Sequence, residues 1–237
     1  YATPVDNTFL SLSPLFLTAE LYLQHIHQAG NVKLTARGTL PKKLTNELRN
    51  DINVFVCSYI ELNTYGNDNS ATVVSTIRNI CELAGLVKKR HNSLSLTKKA
   101  AGMLYSNDRF SLFDALFSVY FQEFNWAYID NLGDNSIGQF GTGFTLYLLA
   151  KYGRVKRSDL FYAQKYREAF PTLLDEVSDT PFKEDAMDHS YVFRTFLRFL
   201  NWFGLIKLQF DPDLDADSTF CITRSELFDK LFVFRLH

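Results

Sequence analysis

The chain has 237 residues and a formal net charge of −1, and 46% of its residues are apolar and 15% aromatic. No apolar run approaches the roughly 18 residues needed to span a bilayer, so the composition excludes a membrane-spanning chain and favours a soluble, globular protein of one or two domains. Three widely separated cysteines, Cys57, Cys81 and Cys221, form no CxxC pair. This usage favours a reduced, cytoplasmic setting.

Charge is unevenly distributed along the chain. Residues 1–110 contain 12 Lys and Arg against 8 Asp and Glu, a net charge of +4, whereas residues 111–237 contain 13 against 18, a net charge of −5. Only the first part therefore suits a polyanionic partner.

The first predicted helix follows a short N-terminal arm. Ser13 and Pro14 provide an N-cap and a first-turn proline, and the helix runs to about Ala29 and ends at Gly30. We then expect a short strand at 32–35. The remaining segments before residue 63 are a helix at 42–49 and an apolar periodic stretch at 52–62 that is more typical of helix than of strand.

Residues 70–105 predict a helix, a two-stranded β-ribbon and a second helix, which is the pattern of a winged helix. Asp68, Asn69 and Ser70 are good N-cap residues, and Gly85 ends the first helix. Its apolar positions recur at three- and four-residue spacing and are Val73, Val74, Ile77, Ile80, Cys81 and Ala84. Strand-like runs at 86–90 and 94–97 flank a polar turn, after which Thr97 can cap the next helix.

After Asp108 the pattern changes to a long aromatic helix at 112–128, which we take as the start of a second half. We expect a loop at 133–143, an apolar helix to about Tyr152 and a helix near 158–169. A short helix after Pro171, an acidic irregular segment at 178–188 and an apolar helix at 191–203 complete the prediction.

The second half repeats the first. Residues 73–88 match residues 192–207 at a constant offset of 119, and beyond the ribbon turn Leu96 and Thr97 match residues 222–223 at an offset of 126. We therefore predict a mainly α fold with short β-hairpins, built by internal duplication as tandem winged-helix-like halves at 1–108 and 109–237.

This register also predicts two buried side chains in the second half. Phe199 and Trp202 correspond to Ile80 and Leu83 in the core stripe of the first winged helix. We expect both aromatic side chains to be buried.

Two runs in the first half carry a resemblance to a known group. The run GNVKLTARGTLPKKLTNEL at 30–48, with its LTxxGxLP core, and AGLVKKRHNSLSLTKKAAGML at 84–104 resemble segments of bacterial proteins of unassigned function related to a plasmid third-open-reading-frame family. The resemblance covers roughly the first hundred residues. It implies a bacterial, plasmid- or mobile-element-associated helical protein and carries no catalytic residues across.

The first winged helix is the strongest functional candidate. On the helix face opposite the core stripe, Thr76 and four other polar residues are available, and we expect base contacts from Thr72, Ser75, Arg78 and Asn79. We expect phosphate contacts from the wing and the following helix, through Lys88, Lys89, Arg90, Lys98 and Lys99. The second wing carries Asp211, Asp213, Asp215 and Asp217, which would repel phosphate.

These residues predict a non-enzymatic, DNA-binding, regulator-like protein whose partner is double-stranded DNA. The alternative is a protein-interaction or assembly module that binds a partner protein or a second copy of the chain on the same surfaces. A third hypothesis is an enzyme whose catalytic domain lies upstream of Tyr1. A continuous positive face on the helix and wing would favour DNA, whereas an apolar groove would favour a protein partner.

Other motifs predict no metal and no cofactor. The DxDxDxD run has Ala216 where a calcium loop needs glycine and Ile222 where it needs glutamate. GQFGTGFT at 138–145 has Phe144 in place of the phosphate-binding lysine. His25 and His27 are two positions apart and would lie on nearly opposite faces of a helix, so they are not expected to bind one metal ion. A second set, expected to precede a helix and complement its dipole, consists of Glu184, Asp185, Asp188 and His189.

Overall fold

The structure is a computed structural model that describes residues 6–48, 69–128, 130–177, 181–209 and 220–233. These residues are mainly helical and include two small three-stranded antiparallel sheets. Contacts divide the chain into two compact units, Asp6–Phe124 and Asn125–His237, which we describe separately as the first and second units. The division follows Phe124, whereas the predicted boundary follows Asp108.

None of the helices in the described ranges combines the length and the apolar character needed to cross a bilayer.

The first long helix of the first unit begins at the predicted N-cap. The Ser13 hydroxyl accepts a hydrogen bond from the Phe16 amide, and the helix ends before Gly30 as expected. The predicted segment at 52–62 lies outside the described residues. The described elements are α1 (Asn7–Leu10), α2 (Pro14–Ala29), β1 (Val32–Lys33), α3 (42–48), α4 (Asn69–Leu83), β2 (Val87–Arg90), β3 (Ser93–Leu96), α5 (Lys98–Tyr105) and α6 (Arg109–Gln122).

Helix α4 packs its predicted apolar stripe into the first unit. The buried members are Val74, Ile77, Ile80, Cys81 and Ala84. The side chains of Thr72 and Val73 lie outside the described part. Thr76, predicted on the outer face, is buried, and Leu83, predicted in the core, is 48% exposed. Thr76 and Leu83 are seven residues apart and lie on nearly the same side of the helix. Thr76 is in the middle of α4 and Leu83 is its last residue, so the two differ in burial along the helix axis.

The first sheet has β3 at its centre, paired antiparallel with β1 on one side and β2 on the other. His91 and Asn92 form the two-residue turn of the β2–β3 hairpin, with φ of 45° and 58°. Positive φ at both central residues is the requirement of the turn type whose twist matches a two-residue hairpin. The predicted β-ribbon is confirmed, with strands within one residue of their expected limits.

Helix α6 belongs to the first unit although its sequence pattern predicts the start of the second half. The Phe113 ring packs edge-on against Phe16 at 5.6 Å between centroids. The Arg109 guanidinium donates from Nε and Nη2 to the two carboxylate oxygens of Glu20 at 2.7 and 2.8 Å. Apolar packing and a two-point ion pair thus tie α6 to α2, an interaction of long sequence separation that local patterns do not reveal.

The second unit contains α7 (Thr142–Tyr152), β4 (Arg157–Ser158), α8 (Asp159–Ala169), a 3₁₀-helix (Pro171–Glu176), α9 (Lys183–Tyr191), a π-helix (Val192–Leu200), β5 (Ile206–Gln209), β6 (Cys221–Arg224) and α10 (Glu226–Leu231). Helix α9 begins at Lys183, so the expectation of an irregular segment through residue 188 is wrong. Glu184 and Asp185 lie in its first turn, where carboxylates complement the helix dipole. The acidic run that suggested a loop is the start of a helix.

A buried arginine organises the loop before α7. The Arg194 side chain on the π-helix has no exposed surface and pairs with Asp130, whose carboxylate is 1% exposed, at 2.5 Å between Nε and Oδ2. Its other nitrogens donate to the Gly133 carbonyl at 2.7 Å and to the backbone and side-chain oxygens of Asn135 at 3.1 and 2.5 Å. A buried charge with its donors this fully satisfied fixes the loop to the π-helix.

The second sheet has the strand order β4–β6–β5, the same as β1–β3–β2 in the first sheet. Val87 pairs with Leu96 in the first sheet, and Ile206 pairs with Arg224 in the second. Val87 and Ile206 are 119 positions apart, as the sequence match predicts. Leu96 and Arg224 are 128 positions apart, two more than the predicted 126. A shift of two residues keeps every side chain on the same face of a strand, and a hydrophobic pattern cannot detect it.

The burial predicted for two aromatic side chains in the second unit holds for one of them. Phe199 is fully buried and packs on Trp126, with the ring centroids 4.6 Å apart. Trp202 is half-buried rather than buried. Its counterpart Leu83 is also at the edge of its helix, so the two positions agree with each other although neither lies in the core.

Gly85 allows a direct measurement of backbone strain. It has φ +63° and open space where a Cβ would lie, whereas Gly102 in α5 of the same unit has the same open space and no positive φ. We expect Gly85→Ala to lower the free energy of unfolding by about 1 kcal/mol and Gly102→Ala to leave it unchanged or raise it by up to about 1 kcal/mol. Urea unfolding followed by circular dichroism measures both, and equal effects would contradict the assignment of a left-handed Gly85.

The buried pair in the second unit predicts a large loss of stability. Asp130→Ala would leave Arg194 charged and buried without its carboxylate, which should cost about 3–5 kcal/mol. Asp134→Ala, an exposed site in the same loop, should change the free energy of unfolding by less than about 0.5 kcal/mol. Both tryptophans, Trp126 and Trp202, belong to the second unit, so tryptophan fluorescence during urea unfolding reports on that unit. Similar losses for the two variants would refute the role given to Asp130.

Candidate nucleic-acid interface

One face of the first sheet is basic. Side chains alternate between faces along each strand, and paired residues share a face. Val87 and Leu94 are buried and define the inner face. The opposite face, which we call the basic face, consists of Lys33, Lys88, Arg90, Ser93 and Ser95. All three of its cations are exposed.

The basic face has a regular geometry. Lys33 and Arg90 both pair with Ser93, from opposite sides of β3, and Lys88 pairs with Ser95 two positions along. Two strand spacings separate Lys33 from Arg90, which places their Cα atoms about 10 Å apart. Within the described ranges, no carboxylate forms an ion pair with any of the three cations. Their positive charge is therefore available to an anion from outside the chain.

Asn92 holds the turn of the β2–β3 hairpin in place. Its side-chain nitrogen donates to the carbonyls of Leu34 and Thr35 at 3.2 and 3.1 Å, and its own carbonyl accepts from the Leu34 amide at 2.8 Å. Three hydrogen bonds thus join the β2–β3 turn to the segment after β1. The basic face is preorganised, because the strands that carry its cations cannot separate at the tip without breaking these bonds.

A tight turn at 35–39, beside the β2–β3 hairpin, adds a further exposed cation. The turn is closed by hydrogen bonds between Thr35 and Thr39, at 2.9 Å between Thr35 N and the Thr39 carbonyl and 2.7 Å between the two hydroxyl oxygens. Arg37 is exposed in this turn. Lys89 points from the inner face toward the same turn, and its Nζ lies 3.4 Å from the position that a Cβ would occupy on Gly38.

Arg78, expected to contact bases, is engaged within the first unit. Its Nε donates to Glu82 at 2.6 Å and its Nη1 donates to the Gly38 carbonyl at 2.7 Å. The side chain is only 16% exposed. Arg78 therefore connects α4 to the turn that carries Arg37, and its guanidinium is not presented to an external partner.

The remaining predicted site residues are distributed around the wing. Ser75 and Asn79 are half-buried on α4, and the side chain of Thr72 lies outside the described part. Lys98 and Lys99 are exposed in the first turn of α5. Cations at a helix N-terminus oppose the helix dipole, so the stability of α5 does not account for their charge.

Lys33 and Arg37 belong to this surface although the sequence patterns did not single them out. The signal for Lys33 is its position after Val32 in an alternating apolar and polar strand. The pairing of that strand with β3 joins residues about sixty positions apart, which no local pattern indicates. Arg37 lies within the LTxxGxLP segment, where no other cation adjoins it to mark a basic cluster.

The second sheet shows that packing does not require these charges. At the positions that pair as Lys33, Lys88 and Arg90 do, it carries Ser158, Lys207 and Gln209. The residue paired with the first and last of these is Cys221, which is buried. The second sheet thus maintains the same pairing with one cation in place of three. The aspartates of its connection, residues 211–217, lie outside the described residues.

A polar hollow of about 540 Å³ lies between α8 and α9, lined by residues that include Asp159, Arg167, Asp185, Asp188 and His189. Arg167 binds Glu184, and its Nε donates to Asp188 at 3.2 Å. Burial raises the pKa of Asp188 against the opposing effect of Arg167. In the described part of the chain no three His, Cys, Asp or Glu side chains are arranged to hold a metal ion. Glu184 and Asp188 thus form ion pairs with Arg167 that join α9 to α8.

The glycine-rich run at 138–145 has its own structural partners. Gly138 donates its amide to the Tyr166 hydroxyl at 3.1 Å, and this hydroxyl donates to the Phe140 carbonyl at 2.7 Å. Gly141 has φ +75°, and a Cβ there would meet the Phe170 ring at 2.5 Å. The glycines therefore allow the positive φ angles and the close approach to Phe170 that the connection into α7 requires.

Comparison of the chain with protein-family models, curated proteins and solved structures finds no match. The resemblance to the plasmid-related bacterial family stays an expectation, and the candidate function depends on the geometry of the chain alone.

The two arginines of this region should respond differently to substitution. Arg78→Ala removes two hydrogen bonds and leaves the Gly38 carbonyl without its donor, so the free energy of opening of α4 should fall by about 1–3 kcal/mol. Arg90→Ala removes an exposed cation and should change it by less than about 0.5 kcal/mol. Amide hydrogen exchange in α4 measures both. A stability loss confined to Arg90→Ala would overturn the roles assigned to these residues.

Proposed function

We propose that the first unit binds double-stranded DNA through the basic face of its sheet, in a binding role of the regulator type without catalysis. The observation that carries the proposal is the set of three exposed cations, Lys33, Lys88 and Arg90, on one preorganised face without anionic partners among the described residues. DNA presents a dense row of phosphates, and each cation that neutralises one releases a condensed counterion. Further exposed cations of the first unit are Lys89, on the opposite face of the sheet, and Lys98 and Lys99, in the first turn of α5.

The contact is local, because the whole chain has a net charge of −1. The overall charge therefore does not attract the protein to a polyanion, and the affinity depends on the arrangement of cations on one face. The Debye length is about 8 Å at physiological salt, so acidic groups farther away are largely screened. A compact positive face can thus bind phosphate on a chain that is nearly neutral overall.

The architecture supports a winged-helix interpretation of both units. In the first unit, α2, β1, α3, α4, β2 and β3 follow the order of a winged helix, and in the second unit α7, β4, α8, α9 with the π-helix, β5 and β6 follow the same order. Four paired rows of the hairpins correspond at constant offsets of 119 and 128. We attribute these similarities to internal duplication, after which the first unit kept the cationic wing.

A salt titration with duplex DNA tests the function. The triple variant Lys33→Ala, Lys88→Ala and Arg90→Ala removes about three phosphate contacts, so the slope of log K against log salt should become shallower by roughly 2 to 3. The control variant Arg154→Ala, Lys156→Ala and Lys207→Ala removes the same charge from exposed sites of the second unit and should leave the slope unchanged. Fluorescence anisotropy of a labelled mixed-sequence duplex provides the measurement.

The absence of duplex binding by the unmodified chain at roughly 50 mM salt, where backbone contacts are strongest, would refute the proposal. Equal effects of the two triple variants would refute the assignment to the basic face. The first result would shift the interpretation to the alternative, a protein-interaction or assembly module, whereas the second would move the DNA contact to another surface of the chain.

A further inference from the structure

We infer that the first unit contacts the DNA backbone alone and binds without preference for base sequence. This inference rests on the proposed function and specifies its ligand as the phosphate backbone of any duplex. A winged helix would place base-reading side chains on α4 and phosphate-binding cations on the hairpin, so the inference depends on what each of these two elements presents.

The first step concerns the guanidinium on α4. Arginine is the side chain that most often reads guanine, through two hydrogen bonds from its planar fork. Arg78 already uses Nε for Glu82 and Nη1 for the Gly38 carbonyl. To read a base, Arg78 would have to abandon both bonds and leave the turn at 35–39 detached from α4. The geometry therefore assigns Arg78 to positioning the turn.

The second step concerns the other described side chains on the outer part of α4. Glu82 carries a negative charge and is 32% exposed, and Leu83 is an exposed apolar side chain. Ser75 and Asn79 are half-buried. Asn79 is thus the one described side chain of α4 whose amide could pair with adenine, and a single half-buried amide beside a carboxylate is a weak basis for selecting a sequence.

The third step concerns the basic face. Lysine is a flexible point charge, which suits a phosphate and does not fix the geometry of a base contact. Ser93 lies between Lys33 and Arg90 in the same row and offers a hydroxyl donor to a phosphate oxygen. Two of the three cations are thus lysines suited to phosphate, and the third, Arg90, shares its row with Lys33 and Ser93, an arrangement that suits the repeating backbone.

The test compares the dissociation constants of the full chain for two duplexes of equal length, one AT-rich and one GC-rich, at the same low salt. We expect the constants to agree within about threefold, whereas specific binding is typically about 10³ to 10⁷ times tighter than non-specific binding. Selection from a pool of random duplexes should yield no shared motif. A motif bound more than about a hundredfold tighter than the pool would overturn the inference while leaving the proposed function in place.

Variants separate the two surfaces. Ser75→Ala with Asn79→Ala should leave binding to both duplexes unchanged, whereas Lys33→Ala, Lys88→Ala and Arg90→Ala should weaken both by the same factor. A loss on only one duplex in the α4 variant, with circular dichroism of the native protein retained, would show base reading and overturn the inference. Failure of every duplex to bind is a different outcome, because it removes the proposed function itself.

Discussion

The hydrogen bonds of Thr97 join the helices of the first unit to its β2–β3 hairpin. The Thr97 hydroxyl donates to the Gly85 carbonyl at 2.8 Å, where α4 ends, and accepts from the Ala100 amide at 3.2 Å, where α5 begins. The Thr97 amide also donates to the Leu86 carbonyl at 3.0 Å. One residue therefore closes the base of the hairpin and satisfies backbone groups at two helix ends, which fixes the hairpin relative to α4. Ser225 makes the three corresponding bonds in the second unit.

Sequence patterns predicted the parts of this fold that depend on neighbouring residues. The caps at Ser13 and Thr97, the stop at Gly85 and the presence of the hairpin all follow from chemistry within a few positions. The connection, expected at 91–93, is one residue shorter, because Ser93 pairs with Arg90. The predicted offset between β3 and β6 was wrong by two residues, because a shift of two leaves the alternation of inward-facing and outward-facing side chains intact. The membership of α6 in the first unit depends on Arg109 and Glu20, which are 89 positions apart.

The candidate site also contains residues that local sequence predicts and residues that depend on contacts between distant parts of the chain. Lys88 and Arg90 could be selected from sequence, because a cluster of cations at a hairpin is visible in a few residues. Lys33 joins them only through the pairing of β1 with β3. Arg78 leaves the set through its bonds to Glu82, four positions away, and to the Gly38 carbonyl, 40 positions away, and the second of these has no local signal. Charge near the wing was thus predictable, whereas the face on which it gathers required the tertiary structure.

The two hairpins also show where this architecture accepts a change of chain length. Two residues, 91–92, connect β2 to β3, and eleven residues, 210–220, separate β5 from β6, yet all four paired rows are equivalent. Loop-closure entropy rises only slowly with length, so a longer connection costs little once the base of the hairpin is secured. The connection of such a hairpin can therefore change in length and composition without changing the strands that carry it, and the two units of this chain have different connections on equivalent strand ladders.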